Sequence, residues 1–161
     1  MRLWHGVVVL LAVALYFIWS RPASTMPAES MVYYDKTSTE QAIKRRLSCL
    51  RNRCLTIYLA PWCPYCRKSQ GAILDAVKQL EARGISTTII LGMDKPEALV
   101  AYAADFPFPV YFDSNNAYFK KLDMKGVPHS IVWLPGGKII KHKSGGFPSA
   151  DSLLHHLGLE E

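Results

Sequence analysis

The apolar residues of this chain form one unbroken block followed by a series of short, periodic ones. Residues 4–19, WHGVVVLLAVALYFIW, contain no Asp, Glu, Lys or Arg and carry a tryptophan at each end. As a helix this run rises about 24 Å at ~1.5 Å per residue, somewhat less than the roughly 30 Å of bilayer hydrocarbon, and interfacial tryptophans suit its ends. Arg2 and the terminal amine favour a cytoplasmic N-terminus and an outer location for the rest, although Arg21 weakens the asymmetry. A cleaved signal peptide shares the positive start and the apolar run. Against it, Tyr16, Phe17, Ile18 and Trp19 are bulky, and the following Arg-Pro pair gives no clear small-residue cleavage site. The pattern predicts a membrane anchor over residues 1–21, with an exported soluble form after cleavage as the alternative.

Beyond it, residues 22–37 read as a linker, marked by Pro22, Ala23, Ser24, Pro27 and Ala28, with an edge strand at 31–34. The folded domain is expected over 38–161. Ser38 or Thr39 can cap a helix running through Ala42, Ile43, Arg46 and Leu47, with Lys44 and Arg45 outward. Residues 55–60 have the apolar, β-prone character of a buried central strand, and Pro61 marks its exit. From Cys63 to Leu80 the period becomes helical, with Ile73, Leu74, Val77 and Leu80 on one face; Pro64 is tolerated in the first turn. Residues 86–91 form a strand, and Asp94 and Pro96 open a helix through Leu99, Val100 and Tyr102. An extended stretch at 108–112 then leads to a helix started by Asp113 or Asn115 and reaching Leu122. Strands at 130–134 and 138–143 flank Pro135-Gly136-Gly137, and Ser149 or Asp151 caps a last helix whose apolar face is Leu153, Leu154 and Leu157. This order predicts an α/β, three-layer fold with a central mixed sheet covered by helices. No repeat or second-domain boundary is visible.

Charge and cysteines narrow the chemistry. The 161 residues carry 19 Lys and Arg against 13 Asp and Glu, a net charge of +6 that is spread along the chain. That permits attraction to anionic partners or lipid headgroups, or is simply a solvated surface, and gives no reason to expect nucleic acid. A domain of this size buries a substantial core without a disulfide framework. The four cysteines are Cys49, Cys54, Cys63 and Cys66, and only the last two have close redox spacing.

Cys63-Pro64-Tyr65-Cys66 falls between the expected central strand and a helix. There, free N–H groups at the helix start stabilise a Cys63 thiolate, which can attack a partner disulfide; Cys66, one turn on, can then resolve the mixed disulfide. A static disulfide or half of a metal site are the plainer readings, and no second Cys-x-x-Cys completes a zinc tetrad. Gly92 and Gly126 read as turn markers, with no phosphate-binding fingerprint beside them. The redox pair requires no bound cofactor.

With these motifs in view, the chain resembles the thioredoxin superfamily from Leu47 to Leu157. Trp62-Cys63 is thioredoxin-like, the Cys-Pro-Tyr-Cys tetrad is the form familiar in glutaredoxins, and Val127-Pro128 stands where the family places a cis-proline opposite the redox pair. More narrowly it resembles the TlpA/ResA-like branch, on Phe108-Pro109-Val110, Asp113, Gly126-Val127-Pro128 and Gly137-Lys138. That resemblance implies a thioredoxin-like fold with a helical insertion. It also implies a bacterial inner-membrane anchor, a periplasmic domain and reduction of partner-protein disulfides, with a membrane redox donor or acceptor. Two positions depart from the family. Ile57 stands where many thioredoxins bury an Asp, and Ser69 where some ResA-like proteins carry a Glu.

Around the pair, Trp62, Pro64, Tyr65, Val127, Pro128 and His129 are the expected substrate contacts. His129 is also a candidate to tune the thiolate, unlike His142, His155 and His156. Cys49 and Cys54 can form a structural disulfide if the chain bends near Asn52; separate thiols and a secondary redox role are the alternatives. The expected function is therefore membrane-anchored extracytoplasmic thiol-disulfide exchange on disulfide-containing or dithiol proteins. Disulfide oxidation or isomerisation, glutaredoxin-like deglutathionylation and a non-enzymatic scaffold are the alternatives.

Overall fold

A computed structural model describes residues 25–38 and 42–160. The anchor expected at 1–21 lies outside them. Among the described residues no helix is long and apolar enough to cross a membrane.

Seven strands make one mixed sheet: β1 (Ser30–Tyr34), β2 (Ala42–Arg46), β3 (Cys54–Leu59), β4 (Ser86–Gly92), β5 (Val110–Asp113), β6 (His129–Trp133) and β7 (Ile139–Ser144), in the spatial order β2-β1-β5-β4-β3-β6-β7. β3, β4 and β5 run parallel, and the remaining neighbours are antiparallel. Five helices complete the described residues: α1 (Pro64–Lys68), α2 (Gln70–Ala82), α3 (Pro96–Ala103), α4 (Ala117–Lys121) and α5 (Ala150–Leu157).

All six residues of β3 are buried, and their alternation feeds two cores. Leu55, Ile57 and Leu59 point into the larger one, with Ile73, Ala76 and Leu80 of α2, Leu99 and Tyr102 of α3, and Leu153 and Leu154 of α5. Cys54 and Tyr58 point into the other, with Ile90, Ile131, Trp133 and Tyr118 of α4. The continuous apolar run is thus the signature of a strand covered on both faces. The Tyr118 hydroxyl donates to the carbonyls of Pro27 (2.7 Å) and Glu29 (3.1 Å), which holds the entering chain against this second core.

The helix expected from Ser38 through Leu47 is instead β2, antiparallel to β1 from Ser30↔Arg46 to Tyr34↔Ala42. Asp35 starts the reversal: its Oδ1 accepts from the Thr37 N–H at 2.9 Å and hydroxyl at 2.7 Å, a local turn that returns the chain beside itself. Arg45 then lies 4.3 Å over the Tyr33 ring. The strand expected at an edge is consequently one place inside it, and β2 and β7 are the borders. The helix expected from Cys63 to Leu80 is two, broken at Ser69. The next element expected from Asp113 or Asn115 starts after Asn116, because Asp113 ends β5.

Candidate active site

β3 delivers Cys63 to one end of the sheet. Residues 60–62 leave the strand, the Cys63 N–H donates to the Ala60 carbonyl at 3.1 Å, and Cys63 becomes the N-cap of α1 with Pro64 in the first turn. Its Sγ accepts from the Cys66 N–H at 3.4 Å and lies 3.4 Å from the Val127 carbonyl oxygen. Both sulfurs are free thiols and both residues are buried. Burial pushes the Cys66 thiol up from its ordinary 9.0 to about 12. The two positions are therefore unequal: Cys63 has a hydrogen bond ready for a thiolate, while Cys66 is held as a thiol.

The wall opposite the pair is the segment before β6. Val127-Pro128 is cis, and the Pro128 carbonyl accepts from the Gly145 N–H at 2.9 Å. Trp62 is 56% exposed, yet its indole N–H donates to the Met93 carbonyl at 2.9 Å. Met93 itself has φ 61°, a left-handed conformation stabilised because its N–H donates to the Asn116 side chain at 2.8 Å. Tyr65 is 67% exposed between the cysteines. Trp62, Tyr65 and half-buried Val127 thus border the sulfurs with apolar surface that water reaches.

Arg67 braces the helix start from the other side. Its Nε donates to the Pro61 carbonyl at 3.1 Å, an Nη pairs with Asp105 at 3.4 Å, and its guanidinium lies 4.5 Å over the Tyr102 ring. Tyr102 is buried in the core that holds Cys66, and its hydroxyl has no hydrogen-bond partner among the described residues. Burial first, then the charge that Cys66 would carry, hold this phenol neutral far above the ordinary range.

His129 is placed elsewhere than its sequence position suggested. It pairs with Tyr58, so its ring lies on the Tyr58 face of the sheet, whereas Cys66 packs on the Ile57 face. There its Nδ1 is 2.6 Å from the Ser144 hydroxyl and its ring stacks on His142 at 5.6 Å. In this geometry the imidazole is not a proton acceptor for Cys66.

Cys49 and Cys54 form a disulfide, with Cα atoms 5.7 Å apart, at the opposite end of β3 from the redox pair. Residues 47–53 are neither helix nor strand, so the continuous helix that would have separated the thiols is not there. Among the described residues no three His, Cys, Asp or Glu side chains gather in a group able to hold a metal.

Two supports were not legible in the residues. The Ser69 hydroxyl, at the break between α1 and α2, accepts from the Phe147 N–H at 2.9 Å and ties α1 to the chain entering α5. Asp113 is buried and accepts from the Tyr58 hydroxyl (2.9 Å) and from the N–H groups of Tyr118 (3.2 Å) and Phe119 (3.1 Å). A lone Ser and a strand-terminal Asp carry no distance information, although resemblance had marked Asp113.

No protein-family model matches the chain, and no curated protein matches it. Solved structures do. DsbF of MTB, in its mixed oxidized and reduced forms, superposes with a TM-score of 0.67 at 15% identity, covering 88% of this chain and all (100%) of that one. A candidate thiol:disulfide interchange protein, DsbE, from Chlorobium tepidum gives 0.65 at 20% identity, over 88% and 100% of the two chains. StoA from Bacillus subtilis gives 0.59 at 16% identity, over 82% and 98%. At such identities the likeness establishes the fold, which is thioredoxin-like with a central mixed sheet.

Proposed function

We propose that this chain is a thiol-disulfide oxidoreductase whose Cys63 attacks disulfides in partner proteins and whose Cys66 resolves the resulting mixed disulfide. The observation that carries this reading is the Cys66 N–H directed at the Cys63 sulfur, 3.4 Å away, with the cis-proline segment alongside. The solved proteins of the same fold include ones named for thiol:disulfide interchange, which supports the same chemistry.

In the reducing direction the Cys63 thiolate attacks one sulfur of the partner disulfide. A Cys63–partner S–S bond forms and the second partner sulfur leaves as a thiolate. Cys66, a thiol until then, must lose its proton, and Ile57 offers no carboxylate to take it. The departing partner thiolate is a base formed at the same place, and it accepts that proton. The Cys66 thiolate then attacks Cys63, closing the Cys63–Cys66 disulfide and releasing the other partner sulfur, which takes a proton from water. Two electrons have passed from the pair to the partner. Trp62, Pro64, Tyr65, Val127, Pro128 and the His129 backbone are the surfaces a partner strand meets.

The domain is further proposed to stand on the extracytoplasmic face of a bacterial inner membrane, attached by residues 1–21 and fed electrons by a membrane redox partner. The apolar run 4–19 supports attachment, and the Cys49–Cys54 disulfide suits an oxidising compartment. Trapping tests the chemistry: Cys66→Ser is expected to accumulate adducts mapping to Cys63, and Cys63→Ser to capture none. Adducts that persist on Cys66 with Cys63 dispensable overturn the order of attack. Alkaline carbonate extraction of the full chain, compared with a chain lacking residues 2–20, tests attachment.

A further inference from the structure

The redox pair and the entry of the chain lie at opposite ends of the sheet. Cys63 follows the last residue of β3, and Cys54 is its first; six strand residues separate the ends by roughly 20 Å. Three features gather at the Cys54 end. The first is the entering chain: Thr25 bridges Lys138, and the Met26 N–H donates to the Gly137 carbonyl at 2.7 Å, in the turn after β6. Cys54 pairs with Trp133, the last residue of β6, so this turn and the disulfide share one end.

The second feature is the loop that the disulfide closes, Leu50-Arg51-Asn52-Arg53. Leu50 is 87% exposed, far more than any other large apolar side chain described, and Arg51, Asn52 and Arg53 are all exposed. The third is a cleft of ≈ 840 Å³ beside that loop, where Arg51 and Arg53 face Arg83 from the end of α2. Among the described residues Glu160 is the one acidic side chain lining it, and it is already paired with His155. Neither Arg51 nor Arg53 has a carboxylate partner among the described residues. Lys138 adds another exposed cation at the same end.

We infer that this end of the domain docks on an anionic lipid surface, with Leu50 entering the headgroup layer and Arg51, Arg53 and Arg83 meeting lipid phosphates. The inference rests on the proposed attachment through residues 1–21. Five residues, 20–24, separate the apolar run from Thr25, and even fully extended that link spans only about 20 Å. The Thr25 end therefore stays within about 20 Å of the bilayer whatever path the link takes. Cationic side chains near an anionic surface are attracted within a Debye length, and an exposed Leu beside them adds apolar contact. Lipid is favoured over an acidic protein because the proposed tether keeps lipid within reach of this end at all times. The consequence is orientation: the base rests on the membrane and Cys63–Cys66 points away from it, toward partners in the aqueous space.

The test uses the full chain in vesicles of phosphatidylcholine, with and without phosphatidylglycerol, and a photoreactive benzoylphenylalanine placed at position 50 or at position 65. Position 50 is expected to capture lipid several-fold more than position 65 in the anionic vesicles. Arg51→Glu with Arg53→Glu should cut that capture several-fold, whereas Arg51→Lys with Arg53→Lys retains it. Peptide mapping of the Cys49–Cys54 disulfide checks that each variant is folded. Equal capture at both positions, indifference to lipid charge, or capture of a second copy in place of lipid overturns the inference while carbonate-resistant attachment stands. Release of the full chain by carbonate removes the attachment and the docking inference with it.

Discussion

Gly92 on β4 lies so close to Tyr58 on β3 that a Cβ at Gly92 would stand 1.8 Å from the tyrosine oxygen and 2.6 Å from Cζ. The tyrosine cannot swing aside freely, because its hydroxyl is bound to buried Asp113 and the ring is fully enclosed. Gly92→Ala is therefore expected to destabilise the domain by about 1–3 kcal/mol, the range for forcing extra atoms into a packed core. Urea unfolding measures it. Because the clash and the hydrogen bond share one side chain, Gly92→Ala combined with Tyr58→Phe should cost less than the two single changes added together.

Ser69 supplies the second prediction. Ser69→Ala leaves the buried Phe147 N–H without its acceptor, a loss of about 1–3 kcal/mol. Ser69→Glu should cost more. Gly146 passes so near that a Cβ on it would be 2.8 Å from the Ser69 hydroxyl, so a larger acid displaces the chain leading to α5. Equal stabilities of the two variants in thermal unfolding would contradict this account.

Alkaline pH separates the two redox forms. The folded, reduced protein keeps the Cys66 proton up to about 12, whereas an unfolded chain releases it near the ordinary 9.0. Between those values the unfolded state binds fewer protons, so the reduced form loses stability as pH rises through that window. The oxidised form has no such thiol. Its stability relative to the reduced form should grow across the same range, as followed by unfolding of each form under argon.

His129 gives the acid counterpart. Burial first, and the neighbouring His142 second, lower it from 6.5 to about 4. An unfolded chain takes up a proton at this residue near pH 6.5 while the folded one refuses it, so this contribution to stability is lost as pH falls from 6.5 toward 4. Proton NMR should show a neutral ring at pH 5. His142→Gln removes the second cause and should move the transition upward.

The sequence was informative where local pattern and fold coincide. β3 is buried throughout and largely apolar because both faces are covered, Pro61 does close it, and the Cys63 to Cys66 spacing does fall on a helix start. It misled at residues 42–46. Ala, Lys and Arg are good helix formers, and it is the pairing with β1 across the hairpin, from Ser30↔Arg46 to Tyr34↔Ala42, that makes that stretch a strand. The face to which His129 points depends on register against Tyr58, and one residue of slip would have put it on the Ile57 face instead. The Gly92–Tyr58–Asp113 contact joins three strands whose order no single-chain pattern reveals.

The two borders of the sheet have a bearing on how copies of this domain meet. β2 presents Lys44, Arg45 and Arg46 and β7 presents Lys141, His142 and Lys143, all exposed. An unpaired strand edge invites another strand, and cations along it oppose that pairing. Border-to-border contact, β2 on β2, β7 on β7 or one on the other, sets Lys and Arg side chains against each other. Molecules of this domain brought close together therefore repel along the directions in which their sheets could otherwise fuse, and they do so most strongly at low ionic strength.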